Sequence, residues 1–368
     1  MRIAIDAHQI GGHRTGSETY VCNLVKNLAM LASNGDRYAV YLNSGQGEIG
    51  LASNRTFEAR TLPSAISPIR YAFYYPLQSW RQRFDLFHAQ FSLPPFLRSH
   101  TVLTVHDLAF ERFPQFFRRG VLAQMKWLIP HSCRRADQII TVSESSKRDL
   151  IELYRLDPRR ITVTYEAAAE DFQPVDGGEA GARLRTAYGL DPPFVLYVGN
   201  LEPRKNLARL LHAFAQLKQK GRIAHKLVIV GQKAWIYDEI FEKIRDRSLA
   251  SEVILTGYVP TSDLPLFYSA ASFMIYPSLY EGFGLPVVEA MACGTPVITS
   301  LGSSLEEIAG NAALLVDPFS IDSITAAMEK LANNPALQAE LRKAGLRRAA
   351  SFSFRKMAEQ TRSVYHRV

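Results

Sequence analysis

Cysteine is scarce in this sequence of 368 residues, and long apolar runs are missing. The three cysteines, Cys22, Cys133 and Cys293, lie far apart and form no C-x-x-C pair, which argues against a disulfide framework or a zinc knuckle and fits a reducing cytoplasm. No apolar run approaches the roughly 18 residues that a membrane-spanning helix needs. Near residue 1, Asp6 and His8 interrupt the apolar residues before the core of a signal peptide could form. Apolar residues make up 47% and charged residues 21%, so we expect a globular, cytoplasmic protein with two domains.

Charge is distributed unevenly along the chain. Residues 51–150 carry a surplus of seven Lys and Arg over Asp and Glu, whereas residues 251–300 hold four acidic residues and no Lys or Arg. A basic region can bind nucleic acid, a membrane surface or an anionic substrate. Because the sequence has neither a zinc-finger spacing nor an RNP-like aromatic strand, nucleic acid ranks last among these partners.

Short β-branched runs alternate with helical periods in two blocks, which predicts two α/β units with parallel sheets. The predicted strands are 2–7, 38–43, 86–89, 102–107, 138–143 and 161–165 in the first block, and 194–199, 226–231, 253–257, 272–277, 296–300 and 313–317 in the second. A Gly-, Pro- and Asp-rich stretch at 171–192 is typical of a linker. We therefore expect two Rossmann-like domains that face each other across a cleft, with ligands beyond the carboxyl ends of the strands. The expected domains are 1–170, with a C-terminal helix at about 352–368 packed back on it, and 171–351.

A glycine-rich loop, Gly11-Gly12-His13-Arg14-Thr15-Gly16, follows the first predicted strand. Its glycines have the spacing of a phosphate-binding P-loop, but Ser17 and Glu18 stand where that motif requires Lys and Ser or Thr, so a P-loop NTPase is not expected. The dinucleotide motif G-x-G-x-x-G is absent as well, which disfavours a dehydrogenase. Two interpretations remain open for the loop: an anion site at a helix N-terminus and an ordinary strand-to-helix turn.

Two cations, Arg204 and Lys205, follow the strand that ends at Gly199 and precede a predicted helix. The helix dipole disfavours cations at this end, so their placement favours a diphosphate ligand over a solvated helix start. Arginine offers a planar fork and lysine a point charge to such a ligand.

The densest motif is Glu281-Gly-Phe-Gly-Leu-Pro-Val-Val-Glu289, after the strand at 272–277. Pro286 suits the first turn of a helix and Gly294 suits its end, so Glu281 is expected in the loop and Glu289 in the helix. Both carboxylates could accept hydrogen bonds from sugar hydroxyls. The backbone N–H groups of Phe283, Gly284 and Leu285 could hold sugar hydroxyls or phosphate oxygens.

With its two glutamates separated by seven residues, this segment resembles the retaining glycosyltransferases of the GT-B fold, specifically glycosyltransferase family 4. The resemblance covers essentially the whole chain and includes the loop with Gly16, the His106-Asp107 pair, the Arg204-Lys205-Asn206 run, and Thr256-Gly257-Tyr258-Val259.

The resemblance implies that the domain at 1–170 lies on the acceptor side and that the domain at 171–351 binds the nucleotide-sugar donor. It also implies a role for each matching residue. Glu281 would bind the hydroxyls of the donor hexose and Glu289 the ribose, while Arg204 and Lys205 would neutralise the diphosphate. Backbone groups near Tyr258 and Val259 would contact the base. Gly16 would allow its loop to approach the donor phosphates, and His106 would contact the transferred sugar. Family members usually need no divalent metal, and the sequence has no Asp-x-Asp, so neither a metal site nor a cofactor is expected.

From the residues alone, His106 after an apolar strand is more often structural, and only the resemblance gives it a function.

Relatives often carry Asn-Gly-Val-Asp before the linker, where this chain has Glu166-Ala-Ala-Ala, so the turn at this hinge is expected to differ.

These observations predict a metal-independent hexosyltransferase that acts on a nucleotide-diphosphate sugar of the GDP-mannose or UDP-hexose type. The expected acceptor is a glycan or a lipid-linked saccharide in cell-surface polysaccharide synthesis. Aromatic and basic residues at 68–76 and 112–119 suit peripheral contact with the inner face of the membrane. They equally suit a pyrophosphate-linked acceptor or a partly buried aromatic cluster with a solvated Arg rim. A nucleotide-sugar epimerase and a non-catalytic nucleotide-sugar binding protein remain alternatives.

Overall fold

The strands predicted from short apolar runs are present in the computed structural model, which describes residues 1–11, 16–31, 35–43, 56–62, 69–232 and 249–368. The chain divides into two units, one formed by Met1–Glu166 with Ser353–Val368 and the other by Ala167–Phe352. The boundary expected at residue 170 thus lies close to the division after Glu166. Each unit contains its own parallel sheet.

The first unit contains a seven-stranded sheet in the order β3-β2-β1-β4-β5-β6-β7, with every pair parallel. Its strands are Arg2–Asp6 (β1), Arg37–Leu42 (β2), Phe57–Thr61 (β3), Leu86–Gln90 (β4), His100–Thr104 (β5), Gln138–Thr141 (β6) and Ile161–Val163 (β7). The described helices between them are Gly16–Leu31 (α1), Tyr75–Gln82 (α2), Ala109–Arg112 (α3), Arg119–Arg135 (α4) and Glu144–Tyr154 (α5).

The second unit contains a six-stranded sheet in the order β10-β9-β8-β11-β12-β13, again with parallel pairs throughout. Its strands are Phe194–Val198 (β8), Lys226–Val230 (β9), Val253–Gly257 (β10), Phe273–Tyr276 (β11), Val297–Ser300 (β12) and Leu314–Val316 (β13). The helices are Gly177–Tyr188 (α6), Leu207–Gln219 (α7), Leu264–Ala270 (α8), Leu285–Ala292 (α9), Ser303–Ala309 (α10), Ile321–Ala332 (α11) and Pro335–Ala349 (α12).

The last helix, Phe354–Tyr365 (α13), returns to the first unit, where it packs on α1. Met357 and Tyr365 are fully buried there, and the hydroxyl of Tyr365 lies 2.6 Å from Nδ1 of His88. Phe352, which was expected to dock on the first unit as well, belongs to the second. Its ring packs edge-on against that of Phe283, with 5.7 Å between the ring centroids. Phe352 lies in the short connection between α12 and α13, just before the chain passes to the first unit.

Both sheets are of the doubly wound type, which confirms the fold class predicted from the sequence. Strand order reverses between β1 and β4 in one sheet and between β8 and β11 in the other. In open parallel sheets, ligands bind beyond the carboxyl ends of the strands at such a switch point. Among the described residues, no helix is long and apolar enough to cross a bilayer.

Candidate active site

The two cations of the second unit lie directly beyond β8, on one side of its switch point. Pro203–Lys205 form a 3-10 turn, and α7 begins only at Leu207. Asn206 between them adopts a left-handed conformation with φ +63°, and its side-chain amide donates to the carbonyls of Pro277 and Pro318 at 2.9 and 2.6 Å. The cations therefore lie on an anchored turn that precedes the helix.

Glu281 lies beyond β11, on the other side of the same switch point, and both cations converge on it. Nζ of Lys205 donates to Oε1 of Glu281 at 2.6 Å, and Nη1 of Arg204 lies 2.9 Å from Oε2. The hydroxyls of Tyr276 and Ser278 also donate to Oε1, at 3.0 and 2.6 Å. The carboxylate thus has four donors, and its side chain keeps only 9% of its exposure.

Electrostatics in this cluster follow from burial and from the two cations. Burial alone would raise the pKa of Glu281, but Arg204 and Lys205 outweigh it and bring the pKa to about 2. For Lys205, burial lowers the pKa, and Glu281 opposes this without fully offsetting it while Arg204 adds to it. The pKa values of both partners of this ion pair, Lys205 and Glu281, are therefore lowered. The contacts are short and charge-assisted, so the pair is ionised near neutral pH.

Gly284 sets the start of α9, which carries Glu289. It has φ +106°, and a Cβ at this position would lie 2.6 Å from Cδ2 of Leu305. Only glycine fits here. Pro286 then lies in the first turn and Gly294 follows the helix end with φ +73°, as the sequence predicted. Glu289 is half-buried.

Glu289 makes its own contact: the Tyr268 hydroxyl on α8 donates to its Oε2 at 2.9 Å. The structure thus brings Arg204, Lys205 and Glu281 into direct contact, whereas Glu289 is held by a different element.

The other predicted residues of the second unit flank these elements. Tyr258 and Val259 follow β10, and Tyr258 is 57% exposed while Val259 is buried. Phe283 and Leu285 are also buried, and the Ser304 hydroxyl donates to the carbonyls of Glu281 and Phe283 at 2.8 and 2.9 Å. The loop between the two glutamates is therefore held in place by Ser304, which lies on α10.

In the first unit, Gly16 is the exposed first residue of α1, and His106 lies two residues beyond β5. Nε2 of His106 lies 3.0 Å from Oε1 of Gln90, and Nδ1 lies 3.7 Å from Oε1 of Glu166. Glu166 is buried, and burial raises its pKa although His106 opposes the shift. Tyr20, one turn after Gly16, packs edge-on against the His106 ring at 4.7 Å.

Comparison with known proteins gives a consistent result for both halves of the chain. Residues 183–348 match the model for glycosyl transferases group 1, and residues 14–168 match the model for glycosyltransferase family 4. The O-antigen chain mannosyltransferase B of Escherichia coli is 32% identical over 280 residues, which cover 76% of this chain and 74% of that protein.

The chain belongs to the group 1, family 4 glycosyltransferases.

Solved structures agree with the GT-B architecture of this glycosyltransferase. Sucrose-phosphate synthase from Thermosynechococcus elongatus superposes with a TM-score of 0.80 at 22% identity, over 100% of this chain and 98% of that one. HepE from Anabaena, in complex with UDP and glucose, gives a TM-score of 0.77 at 18% identity over the whole of both chains.

Several contacts in the glycosyltransferase were not foreseen from its sequence. Tyr276 lies in a predicted strand and Ser278 directly follows it, Tyr268 was assigned no role, and Glu166 was considered only for the turn before the linker. The signal for Glu166 was a lone acidic residue directly after an apolar strand. His13 and its neighbours at 12–15 lie outside the residues that the structure describes, so the expectation of an anion-binding loop there stays a prediction.

Proposed function

We propose that this glycosyltransferase transfers a hexose, with retention of configuration, from a nucleotide-diphosphate sugar to a glycan or lipid-linked acceptor in cell-surface polysaccharide synthesis. The observation that carries the proposal is the contact of Arg204 and Lys205 with Glu281 at the switch point of the second sheet. Cations there suit a diphosphate, and a buried carboxylate beside them suits the hydroxyls of the sugar attached to it. No cofactor is involved, because the nucleotide sugar is itself the substrate.

The chemistry assigned to the cations is stabilisation of the departing diphosphate. An ammonium has three N–H donors, and the bonds of Lys205 to Glu281 and Tyr276 use two of them. Glu281 thereby orients both cations before a diphosphate is bound, so less side-chain freedom is lost on binding. Such pre-oriented charge acts mainly on the transition state, where the leaving group gains negative charge.

Retention is assigned to a front-face route. The carboxylate nearest the cations, Glu281, is held by four donors, which makes it a poor covalent nucleophile. In the proposed route the departing diphosphate takes the proton of the acceptor hydroxyl, and that oxygen forms the new bond to the anomeric carbon on the same face. Product NMR tests this assignment: an α-linked donor should give an α-linkage, and a β-linked product would contradict it.

Metal independence is part of the proposal, since Arg204 and Lys205 supply the positive charge that a divalent ion would otherwise bring to the diphosphate. Transfer rates measured with and without EDTA test it. We expect equal rates, and a loss in EDTA that Mg²⁺ or Mn²⁺ restores would contradict metal independence without affecting the transferase assignment.

The experiment that tests the transferase activity is a donor screen with and without an acceptor. GDP-mannose, UDP-hexoses and dTDP-sugars are first ranked by thermal shift, where a ligand at 100 times its Kd adds about 2.7 kcal/mol of stability. GDP-mannose is tested first because the chain is similar to an O-antigen mannosyltransferase, and UDP-hexoses are tested second because HepE was solved with UDP.

Product formation by the best donor is then measured with and without a mannose-terminated oligosaccharide. Donor consumption that depends on the oligosaccharide supports a transferase. Product release without any acceptor would indicate an epimerase, and binding without turnover a non-catalytic protein.

We also propose that the enzyme works in the cytoplasm, in peripheral contact with the membrane. Ile69, Phe73, Leu77 and Trp80 follow one another at intervals of four, four and three residues, from the start of the π-helical turn Arg70–Tyr74 into α2. They are 52, 71, 43 and 49% exposed, so we expect them to form one apolar stripe that continues onto α2. Exposed Arg81 and Arg83 follow at its end. The segment 112–119 suits this role less well, because Arg112 pairs with Asp149 and Glu152.

Vesicle flotation tests the membrane contact. Binding to vesicles that contain phosphatidylglycerol should exceed binding to phosphatidylcholine vesicles, weaken with salt and fall in Phe73→Ser. Absence of binding at low salt would contradict the contact, and Leu153→Ser, which replaces another exposed apolar residue, is the matched control.

A further inference from the structure

A second polar cluster lies beyond β1, at the switch point of the first sheet. Asp6 is the last residue of β1 and is fully buried. Nδ1 of His8 lies 2.7 Å from its Oδ1. The hydroxyls of Tyr75 and Tyr71 donate to its two oxygens, each at 2.7 Å. None of these residues takes part in the chemistry assigned to the second unit.

The hydrogen bonds around Asp6 determine which nitrogen of the neutral His8 ring carries the proton. Burial would raise the pKa of Asp6, but the bonds from His8, Tyr75 and Tyr71 outweigh it and the pKa lies below its ordinary value. An ionised carboxylate only accepts hydrogen bonds, so Nδ1 of His8 carries the proton. In the neutral ring Nε2 is then an acceptor, and the side chain keeps 21% of its exposure. The ring thus offers an oriented acceptor near the surface.

Neighbouring residues fix this ring in place. The ring of Tyr71 packs edge-on against it at 6.2 Å. The side-chain amide of Asn43, just beyond β2, donates to the carbonyl of His8 and accepts from Nη1 of the buried Arg70 at 3.0 Å. Arg70 and Tyr71 belong to a five-residue π-helical turn, Arg70–Tyr74, a local geometry that is frequent at functional sites.

We propose that the Asp6–His8 pair binds a sugar residue of the acceptor glycan, with Nε2 of His8 accepting a hydrogen bond from one of its hydroxyls. The proposal rests on the transferase function, which requires such an acceptor. His8 is a specificity residue in this scheme: it selects a hydroxyl by direct contact, and Asp6 is a positioning residue that sets the tautomer.

Two substitutions of His8 separate this role from a structural one. In His8→Asn the shorter amide can occupy the place of Nδ1 and keep the bond to Asp6, but nothing reaches the place of Nε2. In His8→Gln the longer amide reaches that place. Loss of one hydrogen bond to a hydroxyl corresponds to a loss of affinity on the order of 10-fold. We therefore expect His8→Asn to lose about 10-fold and His8→Gln to lose less.

The measurement is saturation-transfer NMR on the full chain, with methyl α-D-mannopyranoside as the probe and without donor. His131→Asn, at an exposed position on α4, is the control and should bind as the wild type does. Equal binding by wild type and His8→Asn, equal losses in His8→Asn and His8→Gln, or no binding by the wild type would each overturn the proposal. Because no donor is present, a failure of the transferase function would appear only in the separate donor screen.

Discussion

Replacing Glu281 with glutamine should destabilise the protein in a pH-dependent way. The carboxylate lies between Lys205 and Arg204, and its pKa falls from an ordinary 4.5 to about 2. At 1.36 kcal/mol per pKa unit, this difference corresponds to about 3 kcal/mol of stability at neutral pH. Removing one partner of a buried ion pair costs a similar amount, about 3–5 kcal/mol, because the other charge stays buried.

The sign of the pH dependence follows from the lowered pKa. A carboxylate whose pKa is lower in the folded state contributes its full stability above pH 4.5 and loses it as the pH falls toward 2. By pH 3 about 2 kcal/mol of the contribution of Glu281 is lost. The difference between wild type and Glu281→Gln should therefore be largest at pH 7 and should narrow below pH 4.5.

Urea unfolding of both proteins at a series of pH values measures this difference. Glu340→Gln is the matched control, since Glu340 is an exposed carboxylate on α12 whose replacement should change stability by no more than about 0.5 kcal/mol. A Glu281→Gln protein that is as stable as this control at pH 7, or whose deficit in unfolding free energy stays constant down to pH 3, would show that the ion pair of Glu281 does not stabilise the fold.

Two further substitutions test the helix that follows Glu281. Gly284→Ala combines left-handed backbone strain of about 1–2 kcal/mol with the overlap on Leu305, worth about 1–3 kcal/mol. Urea unfolding should show a larger loss than for Gly189→Ala, where φ is +64° but the space is open; equal losses would contradict the overlap. Glu289→Gln should raise the donor KM about 10-fold with little change in kcat, because the hydrogen bond that we propose between Glu289 and the donor ribose would be present in both ground and transition states. Steady-state kinetics check this, and an unchanged KM would remove the ribose role.

The strands were largely predictable because those of a covered parallel sheet are apolar on both faces. Phe194–Val198, for example, is buried at every position. The missed strand, Phe57–Thr61, lies at a sheet edge and is mostly exposed, so its sequence carries no such signal. Edge strands are specified by their neighbour as much as by their own residues.

The site was predictable where it rests on local rules. Gly284 and Gly294 follow the chemistry of helix ends, and Arg204 stood out because a helix start disfavours cations. Contacts between distant segments were not predictable. Tyr276 looks like any aromatic strand residue until the fold brings Lys205 beside its hydroxyl, at 2.6 Å. Glu166 was judged only by its turn, and its buried position beside His106 depends on the packing of several strands.

The rate of sugar transfer by Lys205→Ala at saturating donor and acceptor tests whether this cation stabilises the departing diphosphate. Removing one group that stabilises the departing charge should lower kcat by roughly 10²–10³. Circular dichroism verifies folding, and Lys343→Ala at an exposed position on α12 should retain wild-type kcat. A folded Lys205→Ala enzyme with near-normal turnover would contradict the role of this cation at the diphosphate.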